Sequence, residues 1–397
     1  MFKKISLWFY IALAIIGAFS FATAGCGNSP TSNTNDSGKL KVVATTTMLT
    51  DLAQQIGGDK VEVSGLMKAG VDPHLYQASA GDVDAMNKAD IVVYNGVHLE
   101  GKMGAIFDNL SKQNKPMIRV SDGIDESTLL DFEEDGEMTK DPHIWFSVNN
   151  WKAAANEVAK GFASKDPENK EYYESNLKAY LVKLDELDKK IKKEVNAVAP
   201  QSRVLVTAHD AFAYFARDYG FEVKGIQGIS TASEAGTSDI SNLAAFIADN
   251  KIKAIFVESS VPHKTIESLQ AAVKAHGFDV SIGGELYSDS LGDADTNEGT
   301  YIGMYEHNIK TITGSAEISP KNIVTGTVRS KVLNGRYTVN PKAQTVVVNA
   351  RSNGYFTVNY GGKNYTINPD VDNLVVKFNE KNILRSGQIN AKIKDLS

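Results

Sequence analysis

The chain has 397 residues, a formal net charge of −6 and a single cysteine. Its length is too great for one compact core and predicts about two or three domains. The acidic balance, with no basic block beyond the first residues, argues against a nucleic-acid partner, and one cysteine excludes an intramolecular disulfide.

The chain opens with Lys3 and Lys4, then runs charge-free and mostly apolar from Ile5 to Gly25, with small residues Ala22, Ala24 and Gly25 before Cys26. That layout predicts an export signal over 1–25. The run is also long enough to span a bilayer, so an uncleaved anchor is the competing reading. Cys26 favours cleavage, because its place after Ala24-Gly25 resembles a bacterial lipobox, although Thr23 stands where such boxes usually carry leucine. The resemblance implies lipid attachment at Cys26. Gly27 to Lys39 is rich in Asn, Ser, Thr and Gly and too poor in apolar residues to fold, so 26–39 reads as a tether. An extracytoplasmic protein held at the cell membrane by an N-terminal lipid anchor is the expectation.

From Leu40 short apolar runs alternate with helical stretches, the pattern of βα units around a largely parallel sheet. Strands are predicted at Lys41–Ala44, Val61–Leu66, Ile91–Tyr94 and Met117–Val120, and helices at Met48–Ile56, Ala80–Lys88 and Asn149–Ala163. An acidic segment, Asp131–Glu137, reads as loop. Residues 40–168 are thus an N-terminal α/β lobe. Over 169–199, Leu177, Leu181, Leu184, Leu187, Ile191, Val195 and Val198 recur at threes and fours among lysines and glutamates, predicting one amphipathic helix. Its roughly 30 residues would reach about 45 Å. Only about four heptads are present and Tyr172, Tyr173 and Tyr180 broaden the stripe, so a stiff connector is preferred to a coiled coil.

A second α/β lobe follows over 200–316, with strands at Arg203–Thr207, Phe221–Ile226, Ala254–Val257 and Val280–Gly283 and helices at Ala211–Tyr219, Ser238–Asn250, His263–Ala275 and Tyr301–Ile312. From 318 to 397 the composition shifts to short Val, Thr and Tyr runs broken by Asn-Gly, Gly-Gly and Asn-Pro. Strands at Ile323–Val328, Gln344–Val348, Tyr355–Asn359, Leu374–Phe378 and Ile389–Ile393 would make a small all-β accessory module. It reads as a spacer or as a surface for adhesion to a partner.

Asp72-Pro73-His74 and Asp141-Pro142-His143 repeat one tripeptide in a chain with seven histidines. Proline fixes its own φ and biases its predecessor toward extended geometry, so each histidine follows a stiff, non-helical approach. His209, just past a strand, stands where an open α/β sheet holds its ligands, and Asp289 also follows a strand. The four offer three imidazoles and a carboxylate from two lobes, and a metal held by all of them would bridge the cleft. His98, His263, His276 and His307 are weaker candidates and read as structural or as outer partners of the ligands. The ring nitrogens turned away from a metal need acceptors, and Glu258, at a strand end, is one candidate.

Gly70-Val71-Asp72-Pro73-His74, Asp141-Pro142-His143-Ile144-Trp145-Phe146, Val206-Thr207-Ala208-His209-Asp210-Ala211-Phe212, Phe256-Val257-Glu258-Ser259-Ser260 and Gly283-Gly284-Glu285-Leu286-Tyr287-Ser288-Asp289 resemble the signature segments of the TroA-like metal-binding proteins of ABC importers, in the solute-binding protein 9 family. The likeness runs from about Leu40 to Gly314. It implies two α/β lobes joined by one long rigid helix, metal in the cleft between them, His74, His143, His209 and Asp289 as ligands, and an ABC permease as partner. A monomer is expected. The cargo is one divalent ion: three nitrogens and one oxygen suit Zn²⁺. A bidentate Asp289, an acidic loop without histidine before His143, and Ala208–Phe212 with Ser230–Ala235 resemble the manganese branch, so Mn²⁺ is preferred, with zinc the alternative and iron a third. A zinc hydrolase would gather similar residues, but it needs an open coordination position and usually a general base. The chain has no His-Glu-x-x-His helix, and it is not expected to be an enzyme.

Overall fold

The computed structural model describes residues 38–134, 137–233 and 235–316, and beyond them the backbone of strands between 324 and 396. The expected export signal, Cys26 and the expected tether as far as residue 37 lie outside the described residues.

The first lobe is built on β1 (Leu40–Ala44), α1 (Thr47–Gly57), β2 (Val61–Gly65), α2 (Ala80–Lys88), β3 (Ile91–Tyr94), α3 (Gly104–Lys112) and β4 (Met117–Arg119). The strands form an all-parallel sheet in the order β2-β1-β3-β4, with Val42 opposite both Val63 and Ile91, and Val92 opposite Met117. Buried on both faces, such strands need continuous Val/Ile runs, which β1 and β3 supply. The Thr46 hydroxyl caps α1 by accepting the Leu49 N–H, and α1 buries Met48, Leu49, Leu52, Ala53 and Ile56. Ser79 and Asp82 close a capping box at the start of α2. Helix α3 was not anticipated. The acidic segment expected as loop is instead an antiparallel hairpin of β5 (Asp131–Glu134) and β6 (Glu137–Lys140).

Helix α4 (Val148–Lys165) leads into α5 (Lys170–Asn196), whose 27 residues extend about 40 Å at 1.5 Å each. Tyr173, Tyr180, Leu184, Leu187, Ile191 and Val195 form its buried stripe. Near its start, Asn176 Nδ2 donates to Ile56 O at 3.0 Å, and Trp151 Nε1 donates to the Tyr180 hydroxyl at 3.2 Å. Farther along, Tyr219 OH donates to Asp188 at 3.0 Å and Lys190 pairs with Glu306 at 2.7 Å. The connector is thereby fastened to both lobes.

The second lobe contains β7 (Val204–His209), α6 (Ala213–Tyr219), β8 (Glu222–Gln227), α7 (Thr237–Asp249), β9 (Ala254–Glu258), α8 (Lys264–Ala275), β10 (Ser281–Leu286) and α9 (Tyr301–Ala316). Parallel pairs β7-β8 and β9-β10 lie side by side along β7 and β9. They are two separate two-stranded sheets, unlike the continuous four-stranded sheet of the first lobe. One hydrophobic core takes in the first lobe, α5 and the second-lobe residues Phe212, Tyr214, Phe215, Tyr301 and Tyr305, while a second core lies within the second lobe around Leu269 and Val273. A continuous apolar core across the junction resists wide opening.

Beyond residue 316, β11 (Val324–Arg329), β12 (Asn334–Asn340), β13 (Thr345–Asn349), β14 (Phe356–Tyr360), β15 (Lys363–Asn368), β16 (Leu374–Phe378), β17 (Ile383–Arg385) and β18 (Lys392–Leu396) form two antiparallel sheets, β11-β12-β13-β16-β17 and β14-β15-β18. The runs at Asn334–Asn340, Lys363–Asn368 and Ile383–Arg385 were not among the expected strands.

Candidate metal centre

Both Asp-Pro-His tripeptides fold into the same turn. The histidine N–H donates to Oδ1 of the aspartate two residues earlier, at 2.8 Å for His74 and Asp72 and 2.9 Å for His143 and Asp141. This Asx turn, with proline between, fixes the direction in which each imidazole leaves the backbone. Asn95, just past β3, donates from Nδ2 to Pro142 O at 3.0 Å and ties the second tripeptide to the first-lobe sheet. Beneath it the buried Glu100 carboxylate accepts from Asn95 N, Gly96 N and Thr45 Oγ1.

His209 is the last residue of β7 and Glu258 the last of β9, two strands that lie next to each other in the second lobe. Ligands of open α/β sheets collect at such strand ends. Gly225, opposite in β8, is required by close approach: a Cβ there would lie 2.5 Å from Asp210 N and 2.7 Å from His209 C. Asp289 follows β10, and the Trp145 indole, beside His143, donates to Ser288 O at 2.9 Å.

These elements bring His74, His143, His209 and Asp289 together, with one donor atom from each within 4.8 Å of all the others. His143 Nε2 lies 3.3 Å from Nε2 of both His74 and His209. Asp289 Oδ2 is 3.2 Å from His209 Nε2, and Oδ1 is 3.4 Å from His143 Nε2. All four side chains are buried. The far side of two rings meets a carboxylate: Asp141 Oδ1 lies 2.7 Å from His143 Nδ1, and Glu258 Oε2 lies 2.6 Å from His209 Nδ1. A carboxylate at Nδ1 draws the neutral ring's proton there and turns the Nε2 lone pair inward.

Burial lowers the affinity of His143 for protons, but Asp141 and Asp289 outweigh it and push its pKa up to about 9. Burial opposes protonation of His209 likewise, and Asp289 and Glu258 hold its pKa well above the usual value. His74 is lowered to about 3 by burial, only partly offset by Asp289. Burial disfavours an ionised Asp289, yet the neighbouring His209 and His143 hold its carboxyl well below the usual range. Asp289 Oδ1 nevertheless has no hydrogen bond. Imidazole nitrogens that share protons with a buried carboxylate, one of whose oxygens is without a hydrogen bond, suit a shared positive charge that would displace those protons. Two nitrogens on one tetrahedral ion with bonds of about 2.0–2.1 Å stand about 3.3 Å apart, which is the spacing of His143 Nε2 from each of the other two imidazoles.

The remaining histidines stay outside the cluster. His98 is exposed at φ 62°, His263 faces Glu285 at 3.0 Å, His276 caps α8, and His307 lies 3.0 Å from Glu285 O. Glu258 meets a ring as anticipated. Asp141 was not singled out as the partner of His143, although its place in the tripeptide was the available signal.

Two α/β lobes on one long helix, with three imidazoles and a carboxylate converging in a buried cleft, define the class of metal-binding solute-binding proteins of ABC importers. The chain belongs to the family described as ZnuA, zinc-uptake complex component A, periplasmic, whose model matches residues 42–315. It is 48% identical over 275 residues to the zinc-binding protein TroA of Treponema pallidum, covering 69% of this chain and 88% of that one. It is 45% identical over 294 residues to the manganese-binding lipoprotein MntA of Bacillus subtilis, covering 74% and 95% respectively. Among solved structures, the periplasmic zinc-binding TroA of T. pallidum superposes with a TM-score of 0.68 at 48% identity, over 70% of this chain and 99% of that chain. An Mn-bound periplasmic metal-binding protein from Candidatus Liberibacter asiaticus gives 0.62 at 28% identity, over 70% and 100%.

Proposed function

We propose that this chain captures a divalent transition-metal ion outside the cytoplasm and delivers it to an ABC permease, with His74, His143, His209 and Asp289 as the ligands. The convergence of three imidazole Nε2 atoms on a buried carboxylate carries the reading. The donor set, neutral nitrogen and ionised oxygen, suits zinc, manganese or iron and leaves no soft sulfur ligand to select copper(I). The relatives divide in the same way: their names give zinc, manganese and iron as cargo.

Manganese is the preferred cargo. Both Asp289 oxygens face the histidines, Oδ1 toward His143 and Oδ2 toward His209, so a bidentate carboxylate raises the donors from four to five. Zinc is supported by the tetrahedral spacing of the nitrogens and exceeds manganese in intrinsic affinity at most such sites. Competition between Mn²⁺ and Zn²⁺ for the full chain, read by calorimetry, together with metal analysis of protein from its native membrane, separates affinity from cargo. Dominant zinc in the native protein overturns the manganese preference.

The domain assignment belongs to the same reading: export signal 1–25, lipid attachment at Cys26, tether 26–39, lobes 40–168 and 200–316 around the connector 169–199, and an accessory module 318–397. The tether keeps a monomeric capture protein at the membrane face where its permease lies. A core continuous across the lobe junction allows a modest tightening around the ion rather than a wide clamp, so docking on the permease supplies the impulse for release.

A further inference from the structure

Of the four donor residues, His74 is the one that lines a cavity between the lobes. This cavity, of about 250 Å³, is lined on the first-lobe side by His74, Pro142 and the exposed His98, and on the second-lobe side by Ile229, Ser230 and Ala232. His143 and His209 are 0% exposed and Asp289 1%, against 5% for His74. His74 is thus the donor residue nearest to open space.

The wall opposite His74 is fastened at one point. Thr231, between Ser230 and Ala232, donates its hydroxyl proton to Asp72 Oδ2 at 2.5 Å. Asp72 Oδ1 accepts the His74 N–H. One carboxylate therefore holds the ligand's backbone with one oxygen and the cavity wall with the other. Gly70, at the near end of the same loop, donates its N–H to Ser290 Oγ at 2.9 Å. Its φ of +75° is readily adopted only by glycine. The loop bearing His74 is thus pinned to the second lobe at Gly70 and at Asp72. Asp141, the counterpart of Asp72, has no such duty. It spends the equivalent turn on its own histidine's Nδ1.

We propose that the cavity is the passage for the ion and that Thr231 is a positioning residue which latches it, so that escape of the metal waits on breaking the Asp72–Thr231 hydrogen bond. Thr231 touches no ligand atom of the site. It acts through Asp72 on the placement of His74 and on the wall that closes over it. The inference rests on the metal-capture reading above.

The test loads the full chain with Mn²⁺, mixes it with excess chromogenic chelator and follows release by stopped-flow absorbance. Thr231→Val keeps the shape and removes the hydroxyl, and loss of a hydrogen bond to a charged group is expected to speed release about tenfold. Thr231→Ser restores the hydroxyl and returns the rate to near that of the parent, which a purely steric role would not do. Thr231→Ala serves in place of the valine variant if that variant does not fold. Release at the parental rate from the hydroxyl-free variant, or equally fast release from Thr231→Ser, overturns the latch. A parent chain that takes up neither Mn²⁺ nor Zn²⁺ overturns the underlying capture reading instead.

Discussion

Glu258 meets His209 twice: Oε1 accepts the His209 backbone N–H at 2.9 Å, and Oε2 lies 2.6 Å from Nδ1 of the ring. One carboxylate at the end of β9 therefore accepts from the strand end of its neighbour on β7 and places its charge against that neighbour's ring. Glu258→Gln keeps the volume and removes the charge that places the Nδ1 proton. Metal affinity is expected to fall about 10–100-fold, the usual cost of losing an outer partner of a ligating histidine. Calorimetric titration with Mn²⁺ and with Zn²⁺ checks it, and Asp141→Asn is expected to act in the same direction through His143.

The metal-free protein should show a definite pH dependence. The pKa of His143 is raised to about 9, so its contribution to stability is fully present below the unfolded value near 6.5 and is lost as pH rises through about 9. His209 is shifted in the same direction. His74, lowered to about 3, acts oppositely: its contribution is present above about 6.5 and lost as pH falls toward 3. Between pH 6.5 and 9 the melting temperature of the metal-free chain should decline relative to the metal-loaded chain. Since Nε2 must be free to bind, metal uptake near pH 7 should also release protons, measurable by calorimetry in buffers of different ionisation enthalpy.

Gly225→Ala drives a methyl group into the backbone of His209 and Asp210. Overpacking of this kind typically costs about 1–3 kcal/mol. The variant should melt lower than the parent and bind metal more weakly, because the displaced backbone carries His209. Unaltered melting and affinity would show that β8 can withdraw without moving β7.

Much of this site was legible because its chemistry is written in local motifs. Asp-Pro-His states its own turn: proline stiffens it, and the aspartate closes it onto the histidine N–H. His209 and Asp289 were found from their places after strands. The less visible parts depend on tertiary contact. Thr231 lies far from Asp72 in the chain, and no spacing announces their hydrogen bond. Helix α3 begins without a side-chain cap at Met103, so it carries no start signal. Half of the residues of β5 and β6 are acidic and of low strand propensity, and antiparallel pairing of the two strands overrides that preference.

The family match ends at residue 315, and every proposed ligand precedes it. Removal of 318–397 should therefore leave Mn²⁺ affinity unchanged. Measuring metal uptake and surface attachment separately in cells carrying the truncated chain distinguishes transport from adhesion: lost attachment with intact uptake assigns adhesion to the β module.

The most direct test of the metal assignment is the metal content of the chain recovered from its native membrane, beside His209→Ala and Asp289→Ala. The predicted result is about one divalent ion per parent chain, chiefly manganese, and its loss from both variants, since each removes one of the few donors that a closed site requires. Unchanged metal content in both variants would contradict the assignment of these residues as the site.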